Sequence, residues 1–391
     1  MAPRFARIST RLRLALAALL ALVWQGAALA ADKAPVDIGA IYNLTGSQAG
    51  LDGPSARGAA LAVAEANRGG GVLGRQVRLI VRDGGSSPDL IAERTRELLK
   101  DYPRVAALMG LSDTDMVIAA APIAARAGRA FLTSGATSPK LPATVPDHLF
   151  LACFGDNVQA AAAAEWLRKD RGARTVSIFY NPAMSYSDIL RRYFETSFRA
   201  LGGIVVSTEP YRPADLARSV RNLVVADAVF FAAGPDEAAE GVRLLRAAGH
   251  AEPVIGGDGL DVAAFREPDA GLRNTYFTTH AFISPDNADP RVQAFLKAYA
   301  AFDPGRTPDA FTALGYDAAR LLLSAISMAG SDDPERVRAA LGATTKFAGV
   351  TGDLGFRAAA GVPAKAVSIL GVENGKLRLV RQFVPVGIPA P

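Results

Sequence analysis

Residues 109–141 read MGLSDTDMVIAAAPIAARAGRAFLTSGATSPKL. Two short apolar runs, ending at Gly110 and Thr133, each open into a loop of small polar residues, GLSDTD at 110–115 and TSGATSP at 133–139. Such runs bounded by turn residues read as buried strands, and strand–loop–helix alternation builds an α/β sheet whose strand ends face a crevice. The helix after each strand offers unpaired N–H groups and a positive dipole end to an anion. Pro139 suits the first turn of the second helix, where its missing N–H would be an orphan anyway. Thr137 and Ser138 then stand at cap positions. Each of Ser112, Thr114, Thr137 and Ser138 by itself also reads as a plain N-cap; two such loops in succession favour a ligand site.

Outward from this stretch the alternation continues. A strand at 36–41 leads through the loop 42–50 into a helix at 53–67, stopped by the glycines at 69–71. Those glycines end a helix and precede a strand at 77–82, the reverse of a phosphate loop, which lies between a strand and a following helix. A helix at 88–99 and strands at 105–110 and 130–133 complete a βαβαβαβ unit and imply a parallel, doubly wound sheet. A second unit starts at 175–180, continues through helices at 186–201, 216–224 and 238–248 and strands at 204–208, 228–232 and 253–256. Long helices at 291–302 and 310–328 follow, and 367–372 with 377–380 reads as a hairpin across Asn374 and Gly375. The segments at 153–154 and 280–282 are candidate crossings between two lobes.

The chain has 391 residues, half of them hydrophobic, enough for two domains. Its first thirty residues read as a secretory signal: Arg4, Arg7, Arg11 and Arg13, then an apolar run at 14–24, then a small-residue cleavage site at 28–30. That run falls short of the roughly 20 residues needed to span a bilayer. No cysteine stands at the cleavage point, so a free periplasmic protein is expected, not membrane-spanning and monomeric. The formal charge of +5 becomes +1 once the four signal arginines are subtracted, which removes any charge-based case for nucleic acid. The single cysteine, Cys153, cannot form an intrachain disulfide and reads as a small buried residue.

At this point the sequence resembles a known family. LTG at 44–46, EAN at 65–67, GGVLGR at 70–75, Asp83, ATSP at 136–139, GGDG at 256–259, YFTT at 276–279 and GYD at 315–317 resemble, in order and spacing, the branched-chain-amino-acid-type substrate-binding proteins of ABC transporters. The resemblance runs over residues 36–380. It implies the type I periplasmic-binding-protein fold: two doubly wound parallel-sheet lobes joined by a three-stranded hinge, lobe I from 31–154 plus 282–353 and lobe II from 155–281 plus 354–391. It implies capture of a small polar solute, foremost an amino acid, and delivery to a membrane permease, with no cofactor. Carried over by position, Thr114 donates its hydroxyl to the ligand carboxylate, assisted by the backbone of Gly135 and by Thr137, with Ala136 and Ser112 in the same loops. Tyr186 helps hold the ligand and Asp258 receives its α-ammonium. Removal of the Asp258 side chain is expected to abolish amino-acid binding and spare the fold. Leu51 stands where some members place an aromatic, the second-lobe loop reads Gly234, Pro235, Asp236, and neither Ser86 nor Asp113 is the cysteine that some members carry. If Asp113 and Asp115 face the cleft, they point to a more cationic ligand or an amide.

Other functions share some of these features. An aromatic acid, amide or urea could replace the amino acid, and the same fold serves as a sensor domain for receptors or regulators. GLSDT at 110–114 is a near miss to the G-x-S-x-G elbow of serine hydrolases, but the final glycine is absent and none of His148, His250 and His280 has a recognisable triad context. The same three histidines are too isolated for a metal site.

Overall fold

The computed structural model describes residues 34–356, 361–363, 365–373 and 375–391. The signal segment and the Asn374 turn position lie outside these. Val36–Pro391 packs as one unit.

Two sheets carry the molecule. The first contains β1 (Val36–Tyr42), β2 (Val77–Asp83), β3 (Leu108–Gly110), β4 (Phe131–Thr133) and β5 (Leu149–Leu151), all parallel in the order β2-β1-β3-β4-β5. β3, β4 and β5 are buried throughout, as strands covered on both faces by helices must be. The covering helices include α1 (Ala49–Arg68), α2 (Pro88–Asp101) and α3 (Thr114–Arg126). Helix α1 begins four residues before the expected start and holds Pro54 inside it, at the cost of one backbone hydrogen bond. The expected helix after the second loop is a single turn, α4 (Leu141–Thr144), with Pro142 rather than Pro139 at its start.

The second sheet contains β6 (Thr175–Tyr180), β7 (Ile204–Pro210), β8 (Ala228–Ala232), β9 (Val254–Gly256) and β10 (Thr275–Thr279) in parallel, and β13 (Val367–Glu373) and β14 (Lys376–Phe383) antiparallel beyond β10. The hairpin is therefore an edge of this sheet, which is mixed rather than purely parallel. Helices α5 (Asp156–Lys169), α6 (Ser185–Ala200) and α8 (Ala238–Ala247) cover it, and the expected helix at 216–224 is one α-turn, α7 (Leu216–Ser219), between two 3₁₀ turns. Helix α5 was not expected. Its alanines at 160–164 are all buried, so it has no polar face there to betray a helical period. Phe194 of α6 stacks on Phe230 of β8 with ring centroids 3.7 Å apart, which locks helix to sheet.

Between β10 and β13 the chain returns to the first sheet as α9 (Pro290–Phe302), α10 (Ala310–Ala329) and α11 (Pro334–Gly342), followed by a small hairpin, β11 (Phe347–Gly349) and β12 (Gly352–Leu354). α10 crosses α1 closely enough that a Cβ at Gly58 would lie 1.8 Å from the Thr312 carbonyl and one at Gly315 1.9 Å from that of Ser55. Several family-like residues thus serve the scaffold. Gly315 permits this crossing, Asp317 accepts the N–H groups of Val350 and Thr351, and Asn67 bonds both N–H and C=O of Val77. Asp83 holds the loop at 44–45 through the Leu44 N–H and the Thr45 hydroxyl. The crossings near 153–154 and 280–282 meet: Phe154 stacks on His280 with centroids 4.1 Å apart.

Candidate functional site

In open α/β sheets a crevice forms where neighbouring strands send their connections to opposite sides. In the first sheet that point lies between β1 and β3, and in the second between β6 and β8. The loops leaving these four strands converge. Together with the loop after β9 they enclose a narrow cavity lined by Gln48, Leu51, Ser112 and Asp113 from one side and by Met184, Tyr186, Pro235, Asp258 and Gly259 from the other. A wider mouth adjoins it and reaches solvent past Asp115, Asn181, Asp236 and Glu237.

A sharp turn shapes the first wall. Leu111 sits at φ +56°, a left-handed conformation costing about 1–2 kcal/mol, and so bends the chain immediately after β3. Asp113 then caps α3: its Oδ1 accepts from the N–H of Asp115 at 2.9 Å and of Met116 at 3.2 Å. The helix N-terminus is already served by the protein's own carboxylate, and Thr114 is the first helical residue rather than the cap. The second loop is similarly engaged, with the Gly135 N–H on the Leu111 carbonyl at 3.4 Å and the Ala136 N–H on Thr133 Oγ1 at 3.1 Å. The Thr137 carbonyl accepts from the Asp156 N–H, so this loop leads its polar groups toward α5. No helix of useful length starts there, which removes the second dipole as well. Gly135, Ala136 and Thr137 are buried behind the cavity and do not line it. Among the described residues the hydroxyls of Ser112 and Thr114, Asp113 Oδ2, Asp52 Oδ1 and Gln48 Oε1 are buried without a hydrogen-bond partner. Burial pushes Asp113 up to about 7, helped by the nearby Asp115, and pushes Asp52 up to about 7 against the opposing Asn43 N–H.

The second wall is built on Asp258, whose Oδ1 accepts from Tyr186 Oη at 2.8 Å and from Gln159 Nε2 at 2.8 Å, and whose Oδ2 accepts from His280 Nε2 at 2.9 Å. A Cβ at the preceding Gly257 would lie 2.4 Å from the Tyr186 oxygen, so the glycine lets the tyrosine reach its partner. Burial lowers the pKa of His280 and keeps it neutral, so Nε2 is its donor nitrogen. Three of the roughly four acceptor positions of the carboxylate are filled, and one on Oδ2 remains. Tyr186 and Asp258 were expected on this wall and meet there. Gln159 and His280 were not. Gln159 rides on the unexpected helix α5, and His280 lies in a crossing segment; the sequence signals available for them were the alanine run after Gln159 and the position of His280 directly after β10.

One bond ties the walls together. Asp115 Oδ2 on the first side accepts the N–H of Ser185, the first residue of α6 on the other, at 3.1 Å. α6 has no cap of its own at Met184, so Asp115 caps it from across the cleft. Leu51 lies against the cavity as a buried apolar contact, and Pro235 faces it where an aromatic was a possible family feature. Ser112 Oγ meets no histidine, and His280 is occupied by Asp258. The arrangement binds and encloses; it holds no activated nucleophile at Ser112.

Comparison with known proteins agrees with this geometry. A sequence profile of the periplasmic binding protein family matches residues 35–376. The chain is 27% identical over 350 residues to the Leu/Ile/Val-binding protein BraC3 of Rhizobium johnstonii, covering 88% of this chain and 93% of that one. Among solved structures it is similar to LivJ, the branched-chain amino acid transporter substrate binding protein of Streptococcus pneumoniae, in complex with isoleucine, with a TM-score of 0.81 and 26% identity over 90% of this chain and 99% of that one. It is also similar to the leucine binding protein LivK of Thermotoga maritima, with a TM-score of 0.80 and 28% identity over 90% and 99% of the two chains. The chain belongs to the periplasmic binding protein family, whose members bind solutes and are not enzymes.

Proposed function

We propose that this protein captures a small polar solute, an amino acid or a chemically close amide or amidine, between its two lobes in the periplasm and delivers it to an ABC permease. The single observation that carries the reading is the cavity at the paired switch points, closed over by both lobes and lined by polar side chains that the protein leaves partly unsatisfied. The lobes are residues 31–154 plus 282–353 and residues 155–281 plus 354–391, and the export signal is residues 1–30. Ser112, Thr114 and Leu51 contact the solute from the first lobe, with the loop of Gly135, Ala136 and Thr137 supporting them. Tyr186 and Asp258 contact it from the second. Closure is a rigid-body motion about the crossings, and a solute that bridges the walls stabilises the closed form by its difference in affinity for the two states. No helix among the described residues is long and apolar enough to cross a membrane, which fits a protein that meets its permease as a monomeric, mobile carrier.

A thermal-shift screen of the mature chain against amino acids, amides, ureas, amidines and aromatic acids tests the reading. At least one solute should raise the melting temperature, and Leu51→Trp, which fills the cavity from α1, should abolish that rise. A solute that stabilises wild type and Leu51→Trp equally binds elsewhere and refutes the interlobe site.

A further inference from the structure

Donors and acceptors around the cavity do not balance. Four of its loop N–H groups are engaged within the protein: those of Asp115 and Met116 by Asp113, that of Gly135 by Leu111 and that of Ala136 by Thr133. Side-chain donors on the first wall are the Gln48 amide, which is itself also an acceptor, and the Ser112 and Thr114 hydroxyls, which accept as readily as they donate. Against them stand three unpartnered acceptors, Asp113 Oδ2, Asp52 Oδ1 and Gln48 Oε1, on residues no more than 6% exposed. Asp113 and Gln48 line both the cavity and its mouth, while Asp52 lies behind Ser112, close enough for that hydroxyl to lower its pKa without reaching hydrogen-bond geometry. The mouth adds Asp115, Asp236 and Glu237. Among the described residues no lysine or arginine lines either space.

An unpaired buried carboxylate is among the costliest groups a fold can carry, and it is retained where something neutralises it. Building on the interlobe solute site proposed above, we propose that the bound solute carries a net positive charge and presents a nitrogen cation with several N–H donors, a guanidinium, amidinium or ammonium, to Asp113 and Gln48. A branched-chain zwitterion brings one cation, which Asp258 can take, and leaves Asp113 facing its carboxylate or its aliphatic side chain. A guanidinium head offers up to five N–H donors in a fixed fork and satisfies Asp113, Gln48 and the Ser112 hydroxyl together.

The same arrangement sets a pH dependence. Asp113 is faced by Asp52 from α1, by Asp115 on its own helix, by Asp156 from α5, and across the cavity by Tyr186 and Asp258, behind which stands the neutral His280. With Asp113 and Asp52 both pushed up to about 7, a cation binds their ionised forms and tightens as pH rises from 6 to 8. An anion needs the protonated forms and weakens over the same interval.

Isothermal titration calorimetry of the mature chain with agmatine, L-arginine, L-lysine, L-leucine and benzoate, at pH 6 and 8, decides the matter. Agmatine or a dibasic amino acid should bind most tightly, more so at pH 8. Asp113→Asn should weaken that binding roughly tenfold or more, the loss of one charge-assisted bond. Asparagine caps helices as well as aspartate, so the ligand-free variant should still fold cooperatively. If Asp113→Asn fails to fold, Gln48→Leu replaces it and should weaken the same ligands. Leucine or benzoate as the tightest ligand, undiminished by either variant, overturns the cationic reading while leaving the interlobe site standing, provided Leu51→Trp still abolishes it. Heat from none of the five probes also overturns it, and the interlobe site then stands or falls on the broader thermal-shift screen.

Discussion

Asp258→Ala was expected to remove ligand binding and spare the fold; the structure changes the second half of that expectation. The carboxylate is the acceptor for three buried donors: Tyr186 Oη, Gln159 Nε2 and His280 Nε2. Gln159 Nε2 keeps a second acceptor, Asp156 Oδ1 at 2.9 Å, so alanine orphans two donors, on residues 6% and 0% exposed. Leaving a buried donor unpaired costs about 1–3 kcal/mol each, so the gross penalty is about 2–6 kcal/mol. Removing a buried charge returns part of this, and we expect a net loss of about 2–3 kcal/mol. Equilibrium urea unfolding followed by fluorescence measures it directly, because Trp166, buried on α5 beside the same sheet, is the only tryptophan after Trp24 in the sequence. Asp258→Asn retains an acceptor oxygen and should fall between wild type and alanine. An alanine variant within about 0.5 kcal/mol of wild type, the range of neutral surface changes, would refute the view that this network organises the second wall.

Asp115→Ala removes the cap that the first lobe places on α6 across the cleft. Caps of this kind are worth about 0.5–2 kcal/mol, so solute dissociation in stopped flow should accelerate by roughly 2- to 30-fold with little change in ligand-free stability; an unchanged rate means that the bond does not help hold the lobes closed. The buried carboxylates predict a pH trend in the ligand-free protein. Burial raises Asp113 and Asp52 to about 7 and Asp156 to about 8, above their unfolded value near 3.9, so between these limits the native state binds more protons than the unfolded state. Their contribution to stability is therefore greatest at the acid end and is lost as pH rises through about 7–8. The melting temperature of wild type should fall relative to that of Asp113→Asn as pH goes from 5 to 8, and a constant difference across that range contradicts the raised value.

Expectations from sequence succeeded where the cause is local. The period of apolar residues in 36–41, 175–180 and 228–232 reports strands, and punctuation such as the glycines at 69–71 reports where helices stop. Loop chemistry was harder to read. Asp113 could be named as a possible cap, but only the backbone turn at Leu111 shows that its carboxylate occupies the place an external anion would need. Helix α5 escaped notice because it is buried on nearly every side, so the contrast between faces that marks an amphipathic helix is missing. With it went Gln159, the residue that ties Asp156 to Asp258.

By itself, the sequence determined the α/β alternation, the loops of small polar residues at its strand ends and an N-terminal stretch that reads as an export signal; these follow from propensity, periodicity and spacing, which act over a few residues at a time, whereas Tyr186 and Asp258 were marked by the resemblance to a family. Only the tertiary structure decided what Asp258 and Asp115 do. Asp258 draws partners from 99, 72 and 22 residues away, and Asp115 caps a helix 70 residues further along the chain. Such pairings depend on how two sheets and the crossings between them bring remote loops to one crevice. The protonation and bonding of a buried carboxylate follow from whatever that topology places beside it, so neither can be read from its neighbours in sequence.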